Sequence, residues 1–218
     1  MRNTWRFIGG ALVALALGSG LARAQDDPWE ARVRLVYLYP ENKSDSYGPL
    51  GIPSNAIHVS NRWLPDVDLE YHFTPYWSSE LVLTYPQLEH VTVMHSALGG
   101  PVGIGTFRAL PPTLTLKYSF LPEDRFQPYV GAGVNLTFIS KVSLAVPTVG
   151  SLSLDKTSVG PAVQAGFDYE LSGNWYFNAD VKWAMIRSDV KFQGVKISEA
   201  RIDPLLFGVG LGYRFGGG

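Results

Sequence analysis

The chain has 218 residues, no cysteine and a formal net charge of −1, and 46% of its residues are hydrophobic while only 17% are charged. The missing cysteines exclude a disulfide scaffold and a cysteine-ligated metal or iron–sulfur site. The apolar content excludes a disordered chain, and the charge gives no support for a nucleic-acid partner.

The N-terminus predicts a signal peptide. Two arginines precede an apolar run at 7–17, and Ala22-Arg23-Ala24 has the small-x-small spacing of a cleavage site. A membrane helix would need about 20 apolar residues. We therefore expect residues 1–24 to be removed on export and residues 25–218 to form one domain.

After the signal peptide, apolar and polar residues alternate every second position, which predicts β-strands with one apolar and one polar face. The pattern recurs in eight segments, at 29–39, 66–73, 80–86, 113–120, 126–139, 163–171, 175–186 and 205–215. Long connections at 41–63, 87–110, 140–157 and 187–201 alternate with short turns. These features predict an all-β fold: an eight-stranded antiparallel transmembrane β-barrel with short periplasmic turns and long extracellular loops.

The strands of a soluble barrel would also alternate between apolar and polar residues, but their apolar face would be turned inward. Here the polar face of the last strand carries Gly208, Gly210 and Gly212, and bulky aromatic residues gather near the strand ends. An eight-stranded interior is narrow, so glycine fits it better than a ring of tryptophans. Two aromatic girdles are typical of membrane interfaces, and the sequence favours the outer membrane of a Gram-negative cell.

Several segments, among them Pro111-Pro112-Thr113-Leu114, Pro128–Gly133 and Gly212–Phe215, resemble the outer membrane protein W family, which includes alkane-uptake proteins. The resemblance extends over the mature chain. It implies an eight-stranded outer-membrane barrel that passes small, mostly apolar molecules. One departure is Gly216–Gly218, which follows the last aromatic residue where members of the family usually end. We expect this segment to be a flexible tail.

Both termini of an even-stranded barrel lie on the periplasmic side, so inward residues can be sorted by height. The upper residues form an apolar substrate path: Val36, Leu38, Val82, Thr84, Ala184, Ile186 and Leu206. The lower residues form an ionic plug: Glu30, Arg32, Arg34, Glu70, Glu80, Lys117, Asp168, Asp180, Lys182 and Arg214. The ionic layer could instead serve stability alone, or Glu70, Glu80 and Asp168 could form a proton-linked or cation site.

Prolines suggest where an apolar solute could leave. Proline cannot donate to a ladder, and Pro86, Pro111 and Pro112 fall on the neighbouring third and fourth strands. They predict a lateral opening there, unless they simply end the membrane-spanning segments. Pro40 and Pro204 are similarly adjacent across the closure of the first and eighth strands.

The long connections also carry apolar residues, such as Ile57, Val91 and Phe107, which could line a funnel into the barrel, pack together, or contact lipopolysaccharide. We expect residues 187–201 to extend the last hairpin, with its turn at Gln193-Gly194.

The leading functional hypothesis is a passive channel for small hydrophobic molecules. The alternative is a non-conducting structural, adhesive or receptor barrel that acts through its loops. No catalytic motif is present, so we expect no enzymatic activity, no cofactor and no metal. The expected partners are small hydrophobic solutes, outer-membrane lipid and lipopolysaccharide, and the barrel-assembly machinery, with no nucleic acid. We expect a monomer.

Overall fold

The computed structural model describes residues 27–46, 48, 53–96, 100–146 and 150–216, so the predicted signal peptide lies outside the described residues. The strands are β1 (Trp29–Tyr39), β2 (Lys43–Ser44), β3 (Ile57–Val59), β4 (Arg62–His72), β5 (Trp77–Leu83), β6 (Gln87–Ser96), β7 (Gly100–Leu110), β8 (Thr113–Ser119), β9 (Phe126–Val146), β10 (Gly150–Leu154), β11 (Thr157–Ser172), β12 (Trp175–Ala184), β13 (Arg187–Phe192), β14 (Val195–Arg201) and β15 (Leu205–Phe215). No helix in the described part of the chain is long and apolar enough to cross a membrane.

Eight of these strands close a barrel. Their order around the wall is β1, β4, β5, β8, β9, β11, β12 and β15, and every neighbouring pair is antiparallel. The closure between the first and last strands runs the full length of β1, from Trp29 opposite Phe215 to Tyr39 opposite Leu205. The predicted eight-stranded antiparallel barrel is confirmed.

Burial alternates along each barrel strand, and it is the polar face that is buried. On β1, Glu30, Arg32 and Arg34 are buried, whereas the side chains of Trp29 and Val33 are exposed. Exposed apolar residues of this kind surround the whole barrel. Such an arrangement requires an apolar medium outside the wall, as a bilayer supplies.

Glycines on β15 make room for the inward charges. A Cβ on Gly208 would lie 2.3 Å from Asp180 Oδ1, and one on Gly212 would lie 2.4 Å from Glu30 Oε1. Both distances are far too short for non-bonded atoms, so the small residues allow charged side chains to fill a narrow lumen.

The other seven strands extend the wall beyond the barrel, and we call this part the extracellular extension. It consists of β2, β3, the β6–β7 hairpin, β10, the β13–β14 hairpin and the upper part of β9. The prediction for 187–201 is confirmed, since β13 pairs with β14 and the turn residues Gln193 and Gly194 have φ values of 49° and 82°. Residues 87–96, 100–110, 140–146 and 150–154 also form strands. The sequence predicted only loops there, because bulges and glycines break the alternation.

Candidate functional site: the barrel interior

The upper half of the lumen contains an apolar cavity of about 60 Å³. The seven residues predicted for the upper lumen all line this one cavity, and they come from β1, β5, β12, β15 and the residues that directly follow β5 and β12. Arg34, Asp66, Asp180 and Lys182 line it as well. The cavity is therefore mainly apolar around its sides, where Thr84, Gln87, Thr113 and Asn135 add polar groups, and it is charged at its lower end.

All ten residues predicted for the ionic layer are buried, and Arg32 lies at the centre of the layer. Its Nε lies 2.7 Å from Glu30 Oε1, and its Nη2 lies 3.2 Å from Asp168 Oδ2. Its Nη1 lies 3.3 Å from both Asp68 Oδ1 and Glu80 Oε2, and it also contacts Glu70. One fully buried guanidinium thus touches five carboxylates from β1, β4, β5 and β11, which offsets its cost of desolvation.

Two lysines extend the layer across the lumen. Lys182 Nζ on β12 donates to Glu80 Oε1 on β5 at 2.6 Å. Lys117 Nζ on β8 donates to Glu70 Oε2 at 2.7 Å and lies 3.5 Å from Glu80 Oε2 and 3.9 Å from Asp168 Oδ2. The three carboxylates that could have formed a cation site are therefore grouped around an ammonium group of the protein itself.

Two arginines complete the layer at its upper and lower limits. Arg34 Nη1 lies 3.1 Å from Asp180 Oδ2, and its Nη2 lies 3.1 Å from Asp66 Oδ2. Arg214 Nε donates to Glu30 Oε2 at 2.8 Å, near the periplasmic end. The network spans the lumen from its periplasmic end to the base of the apolar cavity.

Sequence reasoning omitted two members of this layer. Asp66 and Asp68 pair with Arg34, and Asp68 also contacts Arg32. The signal was available, because both residues share the polar face of β4 with Glu70. With them included, the layer has seven carboxylates and five lysine or arginine side chains.

A tyrosine was also missed. Tyr129 is 1% exposed, its ring centroid lies 3.8 Å from Lys117 Nζ, and its hydroxyl accepts a hydrogen bond from Asn178 Nδ2 at 3.0 Å. It fills the space beside Gly166, where a Cβ would lie 2.8 Å from the tyrosine hydroxyl. The inward position of Tyr129 follows from its alternation with the exposed Val130. The residue was missed because a tyrosine near a strand end is usually assigned to the aromatic girdle at the membrane interface.

One group of potential metal ligands occurs among the described residues. Ligand atoms of Glu30, Glu70 and His72 lie within 4.8 Å of one another. However, Arg32 and Arg214 already contact Glu30, and Arg32 and Lys117 already contact Glu70. We therefore assign no metal to this group.

The wall beside the apolar cavity is interrupted. The β5–β8 ladder ends where Val82 faces Thr113, and pairing resumes only where Gln87 faces Ala109. Pro86, Pro111 and Pro112 lie between these points and outside the strands: Pro86 lies between β5 and β6, and Pro111 and Pro112 connect β7 to β8. Pairing of β4 with β5 also stops, at Val67 and Leu83, so residues 62–66 have no partner on β5. We call this interrupted region the window.

The window faces the apolar cavity, because Leu64, Pro65 and Pro111 line that cavity. It is crossed by the side chain of Arg62, which contacts the carbonyl oxygen of Leu88 and whose Nη1 lies 3.0 Å from Glu89 Oε1. By contrast, the closure near Pro40 and Pro204 has no gap, since the Glu41 amide donates to the Ile202 carbonyl at 2.8 Å.

Above the window, the apolar residues of the extension turn inward and pack together. Buried members of this group include Val59, Val91, Phe107, Leu144 and Leu152. They enclose a second apolar cavity of about 50 Å³. Many apolar residues of the long connections thus form an interior, whereas Trp63, Leu88 and Val195 are exposed.

The sequence profile of the OmpW family matches residues 32–215. The chain belongs to the OmpW family. Among OmpW relatives, outer membrane protein W of Vibrio cholerae is 32% identical over 215 residues, which cover 94% of this chain and 97% of that protein. The uncharacterized outer-membrane protein y4mB of Sinorhizobium fredii is 37% identical over 195 residues, or 86% of this chain and 80% of that protein.

Solved structures agree with this assignment. The crystal structure of the outer membrane protein OprG from Pseudomonas aeruginosa superposes with a TM-score of 0.73 at 26% identity, over 87% of this chain and 96% of OprG. The protein is thus an outer-membrane barrel of the OmpW family.

Proposed function

We propose that this OmpW-family barrel is a passive channel for small hydrophobic molecules. A solute enters through the extracellular extension, occupies the cavity around Val36, Val82 and Ala184, and leaves sideways into the bilayer through the window beside Pro86, Pro111 and Pro112. The observation that carries the proposal is one apolar cavity that has an ionic layer below it and unpaired strand edges beside it.

The ionic layer makes the axial route expensive. A solute that moved from the cavity toward the periplasm would have to separate Arg34 from Asp180 and Lys182 from Glu80, which are all buried. Each separated pair leaves uncompensated buried charges, at a cost of about 3 kcal/mol or more. The layer therefore acts as a plug in this proposal.

The lateral route avoids that cost. At the window, neither the β4–β5 nor the β5–β8 ladder has backbone pairs to break. Apolar residues that line the cavity there, Leu64 and Pro65, are continuous with the apolar outer face of the wall, to which the exposed Trp63 belongs. A hydrophobic solute would thus meet mainly apolar side chains during its exit, and the one charged obstacle described there is the Arg62–Glu89 ion pair that crosses the window.

The second candidate is a non-conducting structural, adhesive or receptor barrel. The packing favours it in one respect: the buried ionic network fills the lower lumen, and the extension above is itself a packed body. In that case the outer surface of the extension would be the functional part, and the cavities would be packing defects.

Uptake by cells with and without the protein separates the two candidates. One apolar and one small charged solute are compared at equal protein levels. The channel predicts faster entry of the apolar solute alone. Equal acceleration of both solutes would contradict the plug, and no acceleration of either would contradict the channel and favour the loop-based function.

A further inference from the structure

Most cations of the extracellular extension are neutralised by carboxylates. The pairs are Lys43–Glu41, Arg62–Glu89, Arg187–Asp203, Lys191–Asp155, Lys196–Asp189 and Arg201–Asp45. Three others differ. Within the described ranges, the side chains of Arg108, Lys141 and Lys156 form no ion pair and no hydrogen bond, and both lysines are exposed.

These three unpaired cations are neighbours in the wall. Arg108 on β7 lies opposite Ser140 on β9, and Lys141 is the next residue along β9. On the other side of β9, the amide of Ile139 donates to the carbonyl oxygen of Lys156 at 2.7 Å. Three adjacent stretches of backbone therefore bring their positive charges to one region. We call it the basic patch.

A β-bulge directs Lys141 to this patch. Ile139 and Leu144 are both buried in the apolar interior, although strict alternation would put residues five positions apart on opposite faces. The β7–β9 register shifts between Thr106 and Arg108, Lys141 has a φ of +48°, and both Ser140 and Lys141 are exposed. Bulges commonly redirect a side chain; without this one, Lys141 would face the apolar interior.

The patch lies immediately above the apolar belt of the barrel. Phe138 is 43% exposed, and it pairs with Leu110 on β7 and with Thr157 on β11. The row of Ser140 and Arg108 is two residues higher, which is about 7 Å at the rise of a β-strand. The unpaired cations are therefore at the height where the hydrocarbon ends and lipid headgroups begin.

We propose that Arg108, Lys141 and Lys156 bind the phosphate groups of lipopolysaccharide in the outer leaflet. An arginine offers a planar fork of N–H donors to a phosphate, and a lysine offers a mobile point charge. Basic residues next to an anionic lipid surface attract it by about 1 kcal/mol each. Because the other cations of the extension are paired with carboxylates, an anionic lipid is expected to prefer the basic patch.

The test is titration of the purified, refolded protein in detergent with lipopolysaccharide, and with dephosphorylated lipopolysaccharide, at two salt concentrations. The patch variant is Arg108→Gln/Lys141→Asn/Lys156→Gln, in which asparagine tolerates the positive φ at 141. The control variant, Lys191→Gln/Lys196→Gln/Arg201→Gln, removes the same charge from the β13–β14 hairpin. Circular dichroism confirms that each variant is folded, and Lys156→Gln alone replaces the triple variant if that one does not fold.

The patch variant is expected to bind lipopolysaccharide about 10- to 100-fold more weakly than the wild type, since three favourable contacts are lost. The single variant Lys156→Gln is expected to bind lipopolysaccharide about fivefold more weakly than the wild type. The control variant is expected to bind as the wild type does, and salt is expected to weaken wild-type binding. Equal affinity of patch variant and wild type, an equal loss in the control, or wild-type binding that does not depend on the phosphates would each overturn the proposal.

Discussion

The barrel and the extracellular extension are parts of one continuous wall, yet their interiors are opposite in character. Inside the barrel, Arg32 is fully buried among five carboxylates. Inside the extension, Phe107 is 2% exposed among valine, leucine and isoleucine side chains. The difference follows from the medium outside. In the barrel, the apolar face of each strand contacts lipid and the polar face lines the lumen. The extension instead buries its apolar face, as soluble proteins do.

The upper lumen cavity lies where these two interiors meet. Its lower end is formed by Arg34 and Lys182, and its sides by apolar residues such as Val82 and Ile186. The window opens at the same height. A change of interior character and a break in the wall thus coincide, and the proposed lateral release of an apolar solute depends on both.

The largest expected effect is loss of the central cation of the barrel. Arg32→Ala leaves five carboxylates without their shared partner, and removing one member of a buried ion-pair network costs about 3–5 kcal/mol. Urea unfolding of the protein in lipid vesicles measures this change. Arg201→Ala, which removes a partly exposed arginine of the extension, is the control and is expected to change the free energy of unfolding far less. Equal effects of the two variants would contradict the network's contribution.

Phe107→Ala tests the apolar interior in the same way. Truncating a buried phenylalanine costs about 3 kcal/mol, and we expect the loss to be confined to the extension. Amide hydrogen exchange should become about 100-fold faster in β6 and β7, while β1 and β15 keep the wild-type rates. Uniform acceleration in all four strands would show that the two regions unfold as one unit.

The window is tested by restoring its ladder. In the variant Pro86→Val/Pro111→Val/Pro112→Val, new backbone hydrogen bonds of about 1 kcal/mol each favour a closed wall, and we expect apolar uptake to fall about tenfold. Pro53→Val, in an exposed part of the extension, is the matched control. Unchanged uptake in the triple variant would mean that the prolines only end the membrane-spanning strands.

The smallest expected effect concerns Glu89, which pairs with Arg62 across the window. Burial raises the pKa of Glu89, and Arg62 offsets only part of that rise. Protonation therefore favours the folded extension, so this residue's contribution to stability is greatest at low pH and is lost as the pH rises through the raised pKa. Glu89→Gln should remove that part of the pH dependence measured by urea unfolding.

Glu199 provides a control of opposite sign. A hydrogen bond from Arg201 lowers the pKa of Glu199, so its contribution is present at neutral pH and is lost as the pH falls. Glu199→Gln should not change the decrease in folding stability that Glu89 causes as the pH rises. If Glu89→Gln and Glu199→Gln alter the pH dependence in the same direction, the assignment to Glu89 is wrong.

The barrel could be predicted from the sequence because alternation there is strict. On β15, Val209 and Leu211 face outward and Gly208 and Gly210 face inward without interruption, so the faces and the height of each residue follow from counting. Membership in the OmpW family was likewise evident from short segments such as Pro111–Leu114, and it is confirmed.

The extension could not be predicted in the same way. A bulge at Lys141 and the positive φ of Gly105 reset the alternation of β9 and β7, so Phe107 and Leu144 share an interior that no fixed period indicates. The prolines predicted interrupted pairing between the third and fourth strands, but the second edge of the window, residues 62–66 of β4, depends on where β5 ends. That end is set by tertiary pairing rather than by local sequence.

The most direct test of the account is apolar uptake by a variant whose upper cavity is filled. Ala184 is 1% exposed and lines the cavity, whereas Val181 on the same strand faces the lipid. We predict that Ala184→Trp abolishes apolar uptake while Val181→Trp leaves it at the wild-type rate. The two variants are compared when both are folded and present in equal amounts. Wild-type uptake by Ala184→Trp would contradict the claim that solutes pass through this cavity.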